Sequence, residues 1–416
     1  MAMRSRWLRI LAWAALSLLV LASAVLGAAW WWAGSNDSLA TVLARASGYL
    51  PQGHVLETSE VMGSLRSGGR IGQLRWQNKG LTITAKQVEV GWDIAPLLRS
   101  KLYLSHLRVA ELSINSTSVD SEPFTPPQSV VLPIEVDIPF TVADVRWAGP
   151  AALQATGLAG RYQYDGMRHT LAVDAMHIAD GSYSGQATLL ARTPLSLKAA
   201  LTGEIQASVP GSSRRLPLLA KASVAGDLAG QDAVLALQAR LAPAAASGTA
   251  PLRANPMQAE GTAQVKPWAK QPIAQADARF ANINLASLWP DMPQTLLDGT
   301  VRLKPEGAGW HAQAQLKNGA AGPWDRQRIP LDSAQAQLRY QDEAWLAESL
   351  QARVGPGELR LSGQWQAPAT AAKAAWQGRV DLRNIDPARM HTGFATAVLD
   401  GHATAQSAAG AVAFDV

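Results

Sequence analysis

Cysteine is absent, so the chain has no disulfide framework, no thiolate metal site and no cysteine nucleophile. Charged residues are few, at 17% of the total, and aromatics make up only 6%. The net charge is +5, and Arg4, Arg6 and Arg9 supply three of those charges ahead of an uncharged run. The other charges are mixed in sign, with no clustered basic face, which argues against nucleic acid as a partner. The seven histidines are His54, His106, His169, His177, His311, His391 and His402, and none stands in an HxxxH or HExxH spacing. His169 and His177 flank one strand and are expected to face solvent. There is no GxSxG elbow, no phosphate-binding glycine loop and no EF-hand pattern. Aspartate and glutamate are scattered, with no close pair framed by apolar residues for general acid–base work. No catalytic residue, metal or cofactor is therefore expected, and the chain is not read as an enzyme.

What is present is apolar and rich in turns. Apolar residues make up 48% of the 416, too many for disorder, and Gly (34) and Pro (24) supply frequent breaks. From Ile10 to Asn36 there is no charged residue. A bilayer core needs about 20 apolar residues in a helix, so this run is long enough to span. Ala22–Ala24 resembles a cleavage site, yet the apolar sequence continues into Trp30, Trp31 and Trp32. In a retained helix those rings sit at the far headgroups and Trp7 at the near ones. The reading adopted is an uncleaved anchor over 10–33, with residues 1–9 in the cytoplasm and everything later exported. An amphipathic helix follows over 37–51, with Leu39, Val42, Leu43, Ala46, Tyr49 and Leu50 at helical spacing. It is a lip on the membrane surface or a cap on an open sheet.

Beyond Val55 the period changes to two. Leu81 and Ile83, Val88 and Val90, Leu102 and Leu104, and Leu112 and Ile114 alternate with polar residues, so each strand has one apolar face. These eight residues are the candidates for a groove lining. No helix of globular length follows to cover that face, which must therefore meet a second sheet, close on itself or hold a ligand. A sandwich is the plainest of these outcomes. The ten tryptophans from Trp76 to Trp376 read mainly as core anchors, a few of them as the mouth of a groove.

Breaks divide the chain into a first β module over 55–116, a Pro-rich linker over 117–129, a β region over 130–241, a loop over 242–257 and repeated modules over 258–416. The repeat is visible as "ARFANINLASLWPDMPQTLLDG" from Ala278 and "VDLRNIDPARMHTGFATAVLDG" from Val380, aligned without a gap. Asn282 and Ile283 fall on Asn384 and Ile385, and Leu297, Asp298 and Gly299 fall on Leu399, Asp400 and Gly401. Repetition of this kind argues for stacked modules. The chain ends in "AVAFDV" without an atypical closing unit, so it is expected to be truncated.

One ordered set of features resembles the N-terminal part of the TamB family, the translocation and assembly module subunit of Gram-negative bacteria. The set comprises an anchor, a short helix and Pro51, then Gly63-Ser64-Leu65, then a strand with Ile71, Leu74 and Trp76. It continues with Val88, Val90 and Trp92, the Pro96-Leu97-Leu98 turn, and Leu107, Val109, Leu112 and Ile114. The specific part covers roughly residues 1–147. The resemblance implies a mostly β, AsmA-like fold: an elongated β-taco groove of repeated short strands behind the transmembrane and amphipathic helices. It implies an inner-membrane, single-pass protein with its bulk in the periplasm, conducting phospholipids between the two membranes. It also implies an alternative: assembly of outer-membrane β-barrel proteins with a TamA-type barrel partner, reached through a C-terminal region this chain lacks.

Overall fold

The computed structural model describes residues 27–50, 53–78, 80–97, 99–116, 126–148, 152–208, 215–244, 256–269, 271–289, 292–342, 344–366, 375–408 and 411–415. Trp7, the N-terminal arginines and most of the expected anchor lie outside these residues, as does most of the 117–129 linker. Residues 27–33 are helical. No helix among the described residues is long and apolar enough to cross a membrane.

The amphipathic segment forms helix α1 (Ser38–Ala46) and then a 3₁₀ turn at Ser47–Tyr49, so its α-helical part is shorter than 37–51. Gly48 lies in that turn, where the chain loses little by leaving the helix. Ser38 is fully buried, and its hydroxyl accepts from the Leu65 amide at 3.1 Å. The Gly63 amide donates to the Asn36 carbonyl at 3.0 Å. The start of α1 is thereby pinned to the first β-turn.

The rest is strand, gathered into two compact units. The first holds β1 (His54–Ser64), β2 (Gly68–Asn78), β3 (Leu81–Trp92), β4 (Lys101–Ser116), β5 (Glu135–Ala148), β6 (Leu153–Tyr164) and β7 (Arg168–Ile178). The helical turn α2 (Ile94–Leu97) joins β3 to β4. Neighbouring strands pair in chain order and antiparallel, except that β4 and β5 are parallel. A parallel pair needs a long crossover, and the Pro-rich stretch lies between these two strands. Tight turns carry their own chemistry: Asp165 Oδ1 accepts from the Met167 and Arg168 amides at 2.9 and 2.6 Å between β6 and β7.

The second unit begins with β8 (Gly181–Leu190), β9 (Ser196–Ser208), β10 (Arg215–Asp227), β11 (Val234–Pro243), β12 (Gln258–Val265) and β13 (Ile273–Ile283). It continues with β14 (Leu297–Glu306), β15 (Gly309–Asn318), β16 (Ser333–Gln341), β17 (Ala344–Val354) and β18 (Gly357–Gln366). The last strands are β19 (Ala375–Ile385), β20 (Leu399–Ala408) and β21 (Ala411–Asp415). Each pairs antiparallel with the next, a meander whose described pairings do not close. Within each unit, no second sheet packs on the strands among the described residues, so neither unit is the sandwich that the alternation alone favours. Each unit is mostly β, open and groove-like, with few helices among the described residues.

The internal repeat is real at the level of single hydrogen bonds. β13 is followed by α3 (Leu285–Leu288), and β19 by α4 (Pro387–Met390). Asn282 (φ 56°) and Asn384 (φ 51°) both turn left-handed. Their amides donate to Asp298 Oδ1 at 3.0 Å and Asp400 Oδ1 at 2.8 Å. Their side chains donate to the Pro256 and Pro356 carbonyls. Asn284 and Asp386 cap the two helices by accepting from the Ala286 and Ala388 amides. The identities seen in sequence are thus the residues that turn the chain out of the sheet and back.

Candidate functional site: one apolar face in each unit

In the first unit the eight candidate groove residues, Leu81, Ile83, Val88, Val90, Leu102, Leu104, Leu112 and Ile114, all lie on one face. Strict alternation would split them, since Ile83 is odd and Val88 even. The strands resolve this by changing phase at a common level, and β4 carries a second shift between Tyr103 and Leu107 that returns Leu102 and Leu104 to the same face. Residues on this face are spaced by three rather than two between Thr58 and Val61, Ile71 and Leu74, Ala85 and Val88, Val109 and Leu112, Val142 and Val145, and Ala155 and Leu158. The register lines up one side of this change as Thr58, Leu74, Ala85, Leu112, Val145 and Ala155 on six successive strands. Three of the intervening residues turn left-handed: Glu60 at φ 54°, Gln87 at 50° and Gly157 at 62°. The registers run through this level without a shift, so these residues face one another strand by strand and mark one line, a crease, along which the apolar face changes phase.

The crease is where burial is found. Ile71, Ala85, Val88, Val109, Val142 and Ala155 are all less than 10% exposed. Leu43 of α1 packs against this cluster at one end, and Leu39 beside it is buried. One short helix cannot cover six strands, and a single layer buries side chains only by curling toward them. The apolar face is therefore the inner face of the bend. The Trp30 ring, in the helical residues 27–33, lies under the Arg66 guanidinium at 4.3 Å, whereas Trp31 is 81% exposed.

The other face of the same strands is charged and laced across the register. Arg70 and Arg108 flank Glu89, and Lys86 and Arg146 flank Glu111. Hydrogen bonding from Arg70 holds Glu89 below the ordinary carboxylate range, and Lys86 does the same for Glu111. In the second unit Arg302, 2.7 Å from Asp277, lowers that carboxyl likewise. These carboxylates are half-buried at the surface and screened by solvent, and each such pair contributes little. Their folded pKa values lie below the unfolded ones, so their stabilisation is present above about pH 4 and lost as the pH falls through the depressed values. Thermal melts should be flat from about pH 8 to about pH 5 and decline only below about pH 4. A decline beginning near neutrality would contradict this assignment.

His169 corrects one expectation. It is buried at the strand end rather than solvent-facing, with Nδ1 2.7 Å from the Tyr162 hydroxyl and its ring stacked on Tyr164 at 4.5 Å. The aromatic neighbours shield it on the apolar face, opposite Tyr164 in the register. Among the described residues, no cluster of acidic or histidine side chains is arranged to hold a metal.

The second unit has the same two-faced construction. Leu197, Ala199, Leu201 and Ile205 of β9 face the same way as Val224, Ala222 and Leu218 of β10 and Leu237, Ala239 and Leu241 of β11. Arg240–Glu260, Arg302–Asp277, Arg339–Glu306 and Arg379–Asp381 lie on the reverse. An open depression of about 590 Å³ sits on the apolar side, lined by Leu338, Trp345, Leu361, Trp365, Trp376 and Val380 among others. No motif in the sequence pointed to this place, although each tryptophan stands near a strand end.

Residues 25–143 match the family model described as TamB, N-terminal domain. The chain carries a TamB-type N-terminal domain. That domain spans α1, β1 to β4 and the first part of β5, and so holds most of the creased apolar face, including all eight candidate lining residues. The remainder of the chain lies outside the match. Searches of curated proteins and of solved structures gave no match.

Proposed function

We propose that the chain conducts glycerophospholipids along its apolar faces, as a β-taco conduit anchored in the inner membrane by residues 10–33 with its strands in the periplasm. The observation that carries this reading is the crease: a one-layer sheet with a curled, uncharged inner face, next to a helix that follows the expected anchor. Burying acyl chains on such a face offsets about 0.8 kcal/mol per CH₂ that water would otherwise impose. A track of this kind replaces one large desorption step by many small ones. Trp30, Trp31 and Trp32 would mark the plane at which lipid enters. The TamB-type N-terminal domain supports the family setting of the proposal.

The test is lipid capture. The purified chain is incubated with phosphatidylethanolamine vesicles, separated from them, extracted and weighed for bound lipid. Wild-type protein should retain phospholipid, and Leu112→Asp with Val145→Asp should retain about tenfold less. Equal retention in both, or none in either, contradicts the proposal. Assembly of barrel proteins, the other role implied by the resemblance, would use the main-chain edges of strands. It would survive this pair of substitutions, so the same variant separates the two.

A further inference from the structure

The two ends of the strands in the second unit are built differently. At one end the chain leaves the sheet in three excursions, 284–296, 319–332 and 386–398. These touch in series: the Gln294 amide donates to the Gln327 carbonyl at 2.8 Å, and the Thr392 amide to Asp325 Oδ1 at 3.0 Å. At the opposite end the register places Trp310, Tyr340, Trp345, Trp365 and Trp376 directly across from one another on five successive strands. Tyr340 and Trp345 are in ring contact at 5.0 Å. Trp365 and Trp376 are 47% and 37% exposed. One step inward runs a row of mostly small residues, Ala312, Leu338, Ala347, Gly363, Gly378 and Ala405. Beyond these come Leu361, Val380 and Ala403. The depression is thus an aromatic wall, a low floor and an aliphatic side.

Two indole N–H groups that sit against backbone, away from this row, find carbonyl partners. Trp92 donates to the Leu65 carbonyl at 2.8 Å and Trp268 to the Leu228 carbonyl at 2.9 Å. Trp345, Trp365 and Trp376 donate to nothing among the described residues. A ring that is apolar in body and a donor at its tip belongs at a boundary between hydrocarbon and polar groups.

We infer that this aromatic row is a headgroup-level register: it binds the ester and phosphate oxygens of a two-chain glycerolipid, with the tails running inward over the small-residue floor toward Leu361 and Val380. The inference rests on the conduit reading and adds an orientation to it. Lipids in the second unit point their headgroups to the aromatic rim and not to the rim of the excursions.

Two photoreactive phospholipids test it on the full chain, one with the diazirine on the headgroup and one at the end of an acyl chain, with adducts mapped by mass spectrometry. Headgroup adducts should fall on the β15 to β19 ends that carry the aromatic row, and tail adducts on Leu361, Val380 and Leu382. Gly378→Leu fills the floor, and a Cβ there meets nothing closer than the Ser362 carbonyl at 3.4 Å, so the fold should tolerate it. Both adduct sets in this unit should then fall about tenfold while those in the first unit persist. Replacing Trp345, Trp365 and Trp376 by Phe keeps the apolar bulk but removes the donors, and should scatter the headgroup adducts over both rims. Headgroup adducts on both rims of the wild-type protein, or on the excursion rim, overturn the register but leave the conduit standing. Absence of adducts from both probes on either apolar face overturns the conduit itself.

Discussion

Val88→Asp should cost the first unit about 3 kcal/mol or more and strip it of bound lipid. Val88 is buried at the crease among Ile71, Ala85, Val109 and Val142, and no cation is part of that cluster. A carboxylate there exchanges water for hydrocarbon without a partner. Its pKa should be raised, because desolvation disfavours the charged form. The sign then follows: the loss is greatest above the raised pKa and shrinks as the pH falls and the group takes up a proton. Wild type moves the other way on strong acidification, as the outer-face carboxylates lose their charge. Thermal melts of the two proteins should therefore converge toward low pH. Thr84→Asp, on the charged face of the same strand, should stay within about 0.5 kcal/mol of wild type and keep its lipid. Equal losses in the two variants would mean that the faces are not distinguished as described.

Gly68→Val should be nearly as damaging, for a different reason. Gly68 opens β2 with φ at 95°, a conformation that a β-branched residue resists. A Cβ there would also sit 2.1 Å from the Val90 carbonyl oxygen and 2.8 Å from the Gly91 Cα. Backbone strain costs about 1–3 kcal/mol and the clash adds to it. The turn between β1 and β2 is also the point to which Ser38 and Trp92 are bonded, through Leu65. Displacing it should free α1 from the apolar face as well as loosen β1. Limited proteolysis should then cut near α1 in the variant before it cuts elsewhere. A wild-type cleavage pattern with an unchanged melting temperature would refute this. Gly378→Ala, where φ is ordinary and a Cβ would meet only the Ser362 carbonyl oxygen at 3.4 Å, is the control and should be mild.

Much of this architecture can be read from side-chain period. The alternation in "LTITAKQVEVGW" gives a two-faced strand, and the spacing of Asn282 and Asn384 gives the repeat, because those side chains make the turns themselves. The crease is less legible. Glu60 and Gln87 are left-handed without being glycine, and their exposed side chains leave no compositional mark. The changes of phase between Ile83 and Val88 and between Val109 and Leu112 hint at it, but spacing along a strand does not show that neighbouring strands change phase at the same level. The aromatic row is hidden for a related reason. Trp310, Tyr340, Trp345, Trp365 and Trp376 become neighbours through registers that depend on turn and loop lengths. The burial of His169 is not legible in the sequence, because a strand-end histidine is ordinarily exposed and it is Tyr162 and Tyr164 on the adjoining strand that enclose it.

The most direct test is a photo-crosslinker placed at each position of β3 in turn, with adducts read by mass spectrometry after exposure to phospholipid vesicles. Lipid adducts are expected at Leu81, Ile83, Ala85, Val88 and Val90, with a change of phase at Gln87, and not at Thr82, Thr84, Lys86 or Glu89. Adducts that continue at every second residue through Gln87, that fall equally on both faces, or that contain only protein would contradict a creased, lipid-bearing inner face.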